Sequence, residues 1–144
     1  MTSPTFDTVR TAATVFRQAL VRMDRDEFVS LANFPVGACG DAAPLLGHYL
    51  LDQGFGTWTY VNGERPQGNH GFESHAWIEQ EGLIVDITAD QFADISDAVI
   101  VTTDQSWHSQ FRVADATHPA RIDIYDDYTR ATLRRMYDRA LEAL

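Results

Sequence analysis

Residues 75–86 read HAWIEQEGLIVD, and this stretch decides the fold because it predicts two β-strands joined by a tight turn. Alternating side chains place His75 and Trp77 on one face of the first strand. Glu81-Gly82 is a dipeptide typical of a hairpin turn, and an apolar strand returns from it. Pairing across that turn brings Asp86 towards the His75 end of the ladder. The sequence therefore predicts an antiparallel hairpin that carries a histidine and an aspartate on neighbouring strands.

Amphipathic helices precede this hairpin. Residues 5–31 repeat apolar side chains at spacings of three and four, which predicts a helix followed by a corner and a short second helix. The segment after Cys39 predicts a third helix that starts at Gly40 or Asp41. With Asp41 as its N-cap, Pro44 falls in the first turn, where its missing N–H costs little. Cys39 is then expected just outside the start of this helix.

The remaining elements complete an α+β pattern. Residues 57–61 and 98–102 are rich in β-branched and aromatic side chains and predict further strands. Residues 62–71 are polar and glycine-rich and predict a loop, whereas residues 103–121 show no clear periodicity. The end of the chain, residues 126–144, predicts an amphipathic helix. Helices, an antiparallel sheet and a closing helix in this order are typical of an α+β fold.

Composition narrows the class of protein. The chain has 144 residues, which predicts a single domain over residues 1–144. Its net charge of −10 disfavours a nucleic-acid partner and an anionic membrane surface. No apolar run approaches a membrane span, and no secretory signal is recognisable. One cysteine allows neither an intrachain disulfide nor a zinc site with several thiolates, so a cytoplasmic location is expected.

Cys39 is the first candidate catalytic residue. It lies in the stretch FPVGACGD, between Gly37 and Gly40, at a predicted helix start. The positive end of a helix dipole lowers the pKa of a thiol and favours the nucleophilic thiolate. Flanking glycines let a substrate backbone approach, and helix N–H groups can stabilise an oxyanion. The alternative interpretation is a buried structural cysteine.

His75 and Asp86 are the matching base and orienting acid. A histidine on a strand is held in one orientation, in which it can take the proton of a thiol and pass it to a leaving group. Asp86 lies in the apolar run LIVDI, where a buried carboxylate is costly unless it is paired. An imidazole is the partner that would use this carboxylate, as the third member of a triad. Alternatively, His75 is a half-buried sheet histidine and Asp86 caps a turn.

These motifs also resemble a known family. Residues 34–92 are similar to the transglutaminase-like branch of the papain-like thiol enzymes, through CGDA at residues 39–42, HAWIE at 75–79 and VDIT at 85–88. Lasso-peptide leader peptidases share a similar Cys, His-Ala-Trp and Asp layout, and HAWIE…GLIVDITADQF resembles a phrase in uncharacterised bacterial proteins. The resemblance implies a papain-like core in which the cysteine helix packs on an antiparallel sheet.

The chain departs from the family in three ways. Asp86-Ile87-Thr88 stands where the family often has Asp-Pro-Thr, although the carboxylate and the threonine remain. The surroundings of Cys39 do not match the papain signature, and His75 follows too soon for papain's long insertion. The complete architecture of papain is therefore not expected.

Two further residues are candidates for the substrate cleft. Asn33 precedes Cys39 by the offset at which papain-like enzymes carry an oxyanion-hole glutamine, although a loop asparagine that ends a helix explains it as well. Trp77 shares a face with His75 and is either a wall of the cleft or part of the core. No metal motif is recognised, calcium has no ligand loop, and no cofactor is expected.

The function predicted from these residues is thiol-dependent hydrolysis. Cys39 attacks an amide or related acyl bond in a peptide or protein, and a thioester intermediate is resolved by water, as in a peptidase or deamidase. One alternative is a transglutaminase-type acyl transferase with the same triad. Another is a protein-interaction module that keeps the fold without turnover, and a third is a purely structural, inert Cys39. The substrate and the oligomeric state stay open.

Overall fold

Three α-helices and an antiparallel sheet of six strands make up the computed structural model of the protein, which describes residues 6–113 and 117–144. This confirms the α+β class. The helices are α1 (Phe6–Arg22), α2 (Cys39–Asp52) and α3 (Asp127–Glu142). The strands are β1 (Thr59–Pro66), β2 (Phe72–Gln80), β3 (Leu83–Asp86), β4 (Ile100–Thr102), β5 (Arg112–Val113) and β6 (His118–Pro119). Their order in the sheet is β4-β3-β2-β1-β5, and β6 also pairs with β1.

The predicted hairpin is present as β2 and β3. Ile78 pairs with Val85, and the two strands are joined by a two-residue turn at Glu81 and Gly82. Both turn residues have positive φ, 50° and 83°, which is the conformation that suits the twist of a hairpin. β3 ends at Asp86, and a short 3-10 turn, Ala89–Gln91, follows it. The predicted returning strand is therefore correct but shorter than expected.

β1 is longer than the sequence predicts. It continues to Pro66, into residues predicted to be loop, so the true connection to β2 covers residues 67–71. The polar composition of residues 62–66 led to the prediction of a loop. These residues are nevertheless in a strand, because β1 is paired along its whole length with β2. Arg65 and Glu73 lie opposite each other in this register and form an ion pair of 2.6 Å. Cross-strand pairs of opposite charge stabilise such a ladder.

The start of α2 corrects the sequence prediction. The helix begins at Cys39 itself, with Ala38 as its N-cap residue and no side-chain capping bond. Asp41 is not the N-cap; its carboxylate accepts a short hydrogen bond from the Ser30 hydroxyl instead. Pro44 accordingly lies beyond the first turn, inside the helix. Its missing N–H leaves the carbonyl of Gly40 without its helical partner, and Gly40 is exposed, so water can take that place.

The helices at the two ends of the chain agree with prediction in part. α1 stops at Arg22, and only a 3-10 turn at Val29–Leu31 represents the second short helix. α3 starts where predicted, because the Asp126 carboxylate caps it through the N–H of Thr129 at 2.8 Å. Its buried face is Leu133, Met136, Tyr137 and Ala140. Tyr128, Leu141 and Leu144, which the apolar spacing also assigns to the inner face, are instead exposed.

The sheet buries side chains on both of its faces. One face packs against the helices and contributes Ala76, Ile78 and Val85 to the main core. The opposite face carries a smaller cluster, which consists of Val61, Trp77, Ile84, Phe92 and Phe111, with Trp107 packed against it. No helix within residues 6–113 and 117–144 is long and apolar enough to cross a membrane.

Candidate functional site

Cys39 is the first residue of α2 and is half-buried. Gly37, which precedes it, has a φ of 74°, a left-handed conformation that favours glycine. A Cβ placed on Gly37 or on Gly40 would meet no heavy atom within 4 Å, so the backbone on either side of Cys39 has open space beside it. The chain therefore places a half-buried thiol at a helix N-terminus, between two uncrowded glycines.

His75 and Asp86 are brought together by the β2–β3 ladder. The Nε2 atom of His75 lies 2.6 Å from Oδ2 of Asp86, and both side chains are completely buried. The other carboxylate oxygen, Oδ1, accepts the backbone N–H of Thr88 at 3.0 Å. This local bond fixes the carboxylate plane at the end of β3. The acidic residue expected in the apolar run thus has the imidazole partner that its burial requires.

Asp86 also determines which nitrogen of His75 is basic. The pKa of Asp86 is lowered to about 2, because hydrogen bonds from His108 and His75 outweigh the effect of burial, which raises it. An ionised carboxylate only accepts hydrogen bonds, so the proton must lie on Nε2 of His75. The Nδ1 atom is therefore the nitrogen left to interact with Cys39. This is the arrangement in which an imidazole can accept the proton of a thiol.

The thiol and the imidazole shift each other's pKa. Burial raises the pKa of the Cys39 thiol, but interactions with His75, the Ala76 backbone and Gln91 outweigh burial and leave it below the ordinary value of a thiol. Burial lowers the pKa of His75, but its bonds to Asp86 and Cys39 outweigh burial and raise it to about 9. These opposite shifts favour a thiolate paired with an imidazolium.

Gln91 bridges the loop before Cys39 and the imidazole. Its carboxamide Nε2 lies 3.3 Å from Nδ1 of His75, and its Oε1 accepts the N–H of Gly37 at 3.4 Å. It also lowers the pKa of the thiol. Gln91 closes the 3-10 turn that follows Asp86-Ile87-Thr88. The sequence marks Gln91 only as a residue after the Asp86 strand that could line a cleft, and it does not predict these contacts with Gly37 and His75.

An aromatic layer encloses the His75 ring. The rings of Trp77, Phe92, Trp107 and Phe111 have centroids 5.1 to 5.7 Å from that of His75. Arg65 lies over three of these rings, those of Phe92, Trp107 and Phe111, at 4.8 to 5.1 Å. Its charge is paired with Glu73 and Asp94. The layer keeps water away from the imidazole, which strengthens its interaction with Asp86.

His108 is a site residue that sequence reasoning missed. It belongs to the 3-10 turn His108–Gln110, within the segment without periodicity, and is 3% exposed. Its Nε2 atom lies 2.7 Å from the same Oδ2 of Asp86 that binds His75. Nothing in the sequence around His108 signals this contact, because the two residues are joined only by tertiary folding.

His75, Asp86 and His108 also form the one His/Cys/Asp/Glu cluster of metal-binding type found in residues 6–113 and 117–144, with ligating atoms within 4.8 Å of one another. Ligand atoms that surround a tetrahedral zinc ion at about 2.0–2.1 Å lie roughly 3.3 Å apart. The N–O distances here are 2.6 and 2.7 Å, which fit shared protons. The cluster is therefore described as a hydrogen-bond network.

The two further cleft candidates have different positions. Trp77 is 4% exposed and packs on His75 from within the smaller core cluster, so it supports the imidazole from behind the surface. Asn33 is exposed, and its backbone oxygen accepts the N–H of Val36 in the loop before Cys39. Its role in an oxyanion hole stays a prediction.

Comparisons with family models, with curated proteins and with solved structures found no significant match to this chain.

Proposed function

We propose that this chain is a thiol-dependent hydrolase with a papain-like, transglutaminase-like core and a Cys39–His75–Asp86 triad, which cleaves an amide or related acyl bond of a peptide or protein. The observation that carries the proposal is the fixed orientation of His75. Asp86 holds its Nε2–H at 2.6 Å, which leaves Nδ1 for a thiol whose pKa is lowered. The thiol thus contacts the imidazole and the imidazole contacts the carboxylate, which is the order in which a nucleophile, a base and an orienting acid are arranged in nucleophilic catalysis.

In the first half of the reaction the thiolate of Cys39 attacks the carbonyl carbon of the substrate. A C–S bond forms, and the carbonyl oxygen becomes an oxyanion. The imidazolium of His75 then gives its Nδ1 proton to the leaving nitrogen or oxygen as the scissile bond breaks. The products are an acyl thioester on Cys39, a released amine or alcohol, and a neutral imidazole.

In the second half water resolves the thioester. Nδ1 of His75 takes a proton from water while the water oxygen attacks the acyl carbon. The C–S bond breaks, the acid is released, and the thiolate–imidazolium pair is restored. Asp86 keeps its charge throughout and stabilises the imidazolium each time it forms.

Two groups beside Cys39 suit the oxyanion. The first N–H groups of an α-helix have no partner within the helix, and α2 begins at the nucleophile itself. The carboxamide of Gln91 offers a further N–H within reach of Nδ1 of His75. In the thiolate–imidazolium state Nδ1 carries a proton and accepts no hydrogen bond, so this amide N–H can donate to the developing charge instead.

The proposal is tested by alkylating Cys39 with iodoacetamide across pH 4–10 and measuring the adduct by mass spectrometry. Since the chain has one cysteine, every adduct reports this thiol. We expect rapid labelling well below pH 8 in the native protein, and loss of that acid labelling in His75→Ala. His70→Ala removes an exposed histidine outside the site and is the matched control. Labelling that follows an ordinary thiol pKa of about 8.5 and ignores His75→Ala would overturn the proposal.

The acceptor is identified from products. Peptide amides, esters and thioesters are incubated with the protein, with and without an added primary amine, using Cys39→Ala as the blank. A free acid as sole product supports hydrolysis. An amine conjugate indicates acyl transfer by the same triad. A reactive thiol with no product from any substrate class favours the protein-interaction module.

A further inference from the structure

One oxygen of Asp86 is shared by two imidazoles. Oδ2 lies 2.6 Å from Nε2 of His75 and 2.7 Å from Nε2 of His108. Exposed fractions are 1% for His75 and Asp86 and 3% for His108. A triad needs only one of these rings, so the second ring requires an explanation of its own.

The charge of Asp86 determines which atom donates in each of these two hydrogen bonds. Asp86 is ionised and offers only lone pairs, so both Nε2 atoms carry a hydrogen. Oδ1 is already engaged by the N–H of Thr88. The carboxylate therefore accepts three hydrogen bonds, two of them on the oxygen that faces the base.

We propose that His108 is a positioning residue of the thiol site, whose Nε2–H hydrogen bond to Asp86 limits how tightly the carboxylate holds the His75 proton. The inference rests on the proposed function, since it concerns the base of that reaction. A donor that shares Oδ2 spreads the negative charge that His75 experiences. His75 then remains acidic enough to give its Nδ1 proton to a leaving group.

The surroundings of His108 support this role. Its ring is set between the indoles of Trp77 and Trp107, each with a centroid 4.8 Å away. Its other nitrogen, Nδ1, is buried and has no hydrogen-bond partner in the part of the chain that the structure describes. A buried polar atom without a partner is costly, and an apolar side chain would fill the same space without that cost. The hydrogen bond that the ring donates to Asp86 therefore explains why a histidine occupies this buried position.

Few charged groups face this network. Cys39 contacts His75 from α2, and Arg65 stands behind the aromatic layer, paired with Glu73 and Asp94. On the far side, His108 lines a cavity of about 360 Å³ whose charged lining residues are Arg10, Asp97 and Asp104. In the variants below Cys39 is replaced in every sample alike and the other groups are retained, so a change in His75 between variants reports the loss of the His108 donor.

The test measures the titration of His75 by NMR in a Cys39→Ala background, where no turnover or thiolate contributes. The chain has five histidines, and the His75 signals are assigned by their loss in His75→Gln. His108→Leu removes the donor and keeps an apolar side chain of similar size. His108→Gln places an amide N–H near the position of Nε2 and is the matched control. We expect the His75 midpoint to rise by about 0.5–1 pH unit in His108→Leu and to stay within about 0.2 unit in His108→Gln.

An unchanged or lowered midpoint in His108→Leu, or equal shifts in both variants, would overturn the proposal. If His108→Leu does not fold, His108→Asn takes its place, because its shorter amide stands near Nδ1 and cannot reach Asp86. Failure of the proposed function is seen separately, as an ordinary pH profile of Cys39 alkylation in the wild type. The NMR titration decides the role of His108 in either case.

Discussion

Replacement of Gly47 by alanine tests the packing that positions α2, the helix that begins at Cys39. Gly47 lies in the middle of α2, eight residues after Cys39. A Cβ at this position would stand 2.4 Å from both the Cβ and the carbonyl oxygen of Ala120. Ordinary contacts begin near 3.4 Å, so α2 or the Ala120 backbone must move by about 1 Å. The Ala120 backbone is held in turn, because its N–H donates to the carbonyl of Trp58 at 2.8 Å.

Two opposing effects set the magnitude. Alanine stabilises a helix interior by about 1 kcal/mol relative to glycine. Overpacking costs about 1–3 kcal/mol, and a clash with a fixed backbone belongs at the upper end of that range. We expect Gly47→Ala to lower the free energy of unfolding by about 1–2 kcal/mol. It should also slow alkylation of Cys39, because the displaced helix carries the thiol away from His75.

Urea unfolding followed by circular dichroism measures this change. Gly40→Ala is the matched control in the same helix, since its Cβ meets nothing within 4 Å. Adding Ala120→Gly to Gly47→Ala should restore part of the stability, because it removes the Cβ contact but leaves the carbonyl contact. If Gly47→Ala is as stable as the wild type, or Gly40→Ala loses as much, the close approach of α2 to Ala120 is wrong.

Three further predictions concern the site. Because the pKa of Asp86 is lowered, the stability that this carboxylate contributes is present above about pH 4 and is lost as pH falls towards 2. Carboxyl-carbon NMR should give a titration midpoint near 2 for Asp86, and a midpoint near 3.8 would contradict the three-donor arrangement. Gln91→Leu should move the acid limb of Cys39 alkylation to higher pH, because it removes a group that lowers the thiol pKa. Gln18→Leu on the surface of α1 should leave the profile unchanged, and equal profiles in the two variants would exclude the contact between Gln91 and Cys39. Trp77→Leu should cost about 2 kcal/mol or more in urea unfolding, because the indole is buried, and unchanged stability would place Trp77 outside the core.

The sequence predicted the parts of the fold that local patterns determine. The β2–β3 hairpin follows from alternation and a two-residue turn, and α3 follows from its apolar spacing. The predicted start of α2 was wrong because it assumed a side-chain cap at Asp41. The chain instead uses Ala38 there and directs the carboxylate of Asp41 to Ser30. Whether the Asp41 side chain caps the helix or binds a tertiary partner depends on packing, and a single sequence does not show that packing.

The candidate site divides in the same way. Cys39, His75 and Asp86 are marked by their own surroundings, namely flanking glycines, an alternating strand and an apolar run around an acid. Gln91 and His108 are not marked, because their contacts depend on how two 3-10 turns fold back over the end of the sheet. The sequence thus indicates Cys39, His75 and Asp86, whereas the contacts of Gln91 with His75 and of His108 with Asp86 are found only in three dimensions.

The charges of the site are arranged in two layers with aromatic rings between them. On one side the imidazole of His75 is bound by Asp86, and on the other the guanidinium of Arg65 is bound by Glu73 and Asp94. Each cation thus has its own anions, so Arg65 can lie on the ring faces without opposing a positive charge on His75. The rings in turn exclude water, and this makes the bond between His75 and Asp86 strong enough to offset the burial of an imidazolium. A half-buried thiol at the start of α2 then faces a base that is protonated at neutral pH, which is the condition under which a cysteine reacts as a thiolate.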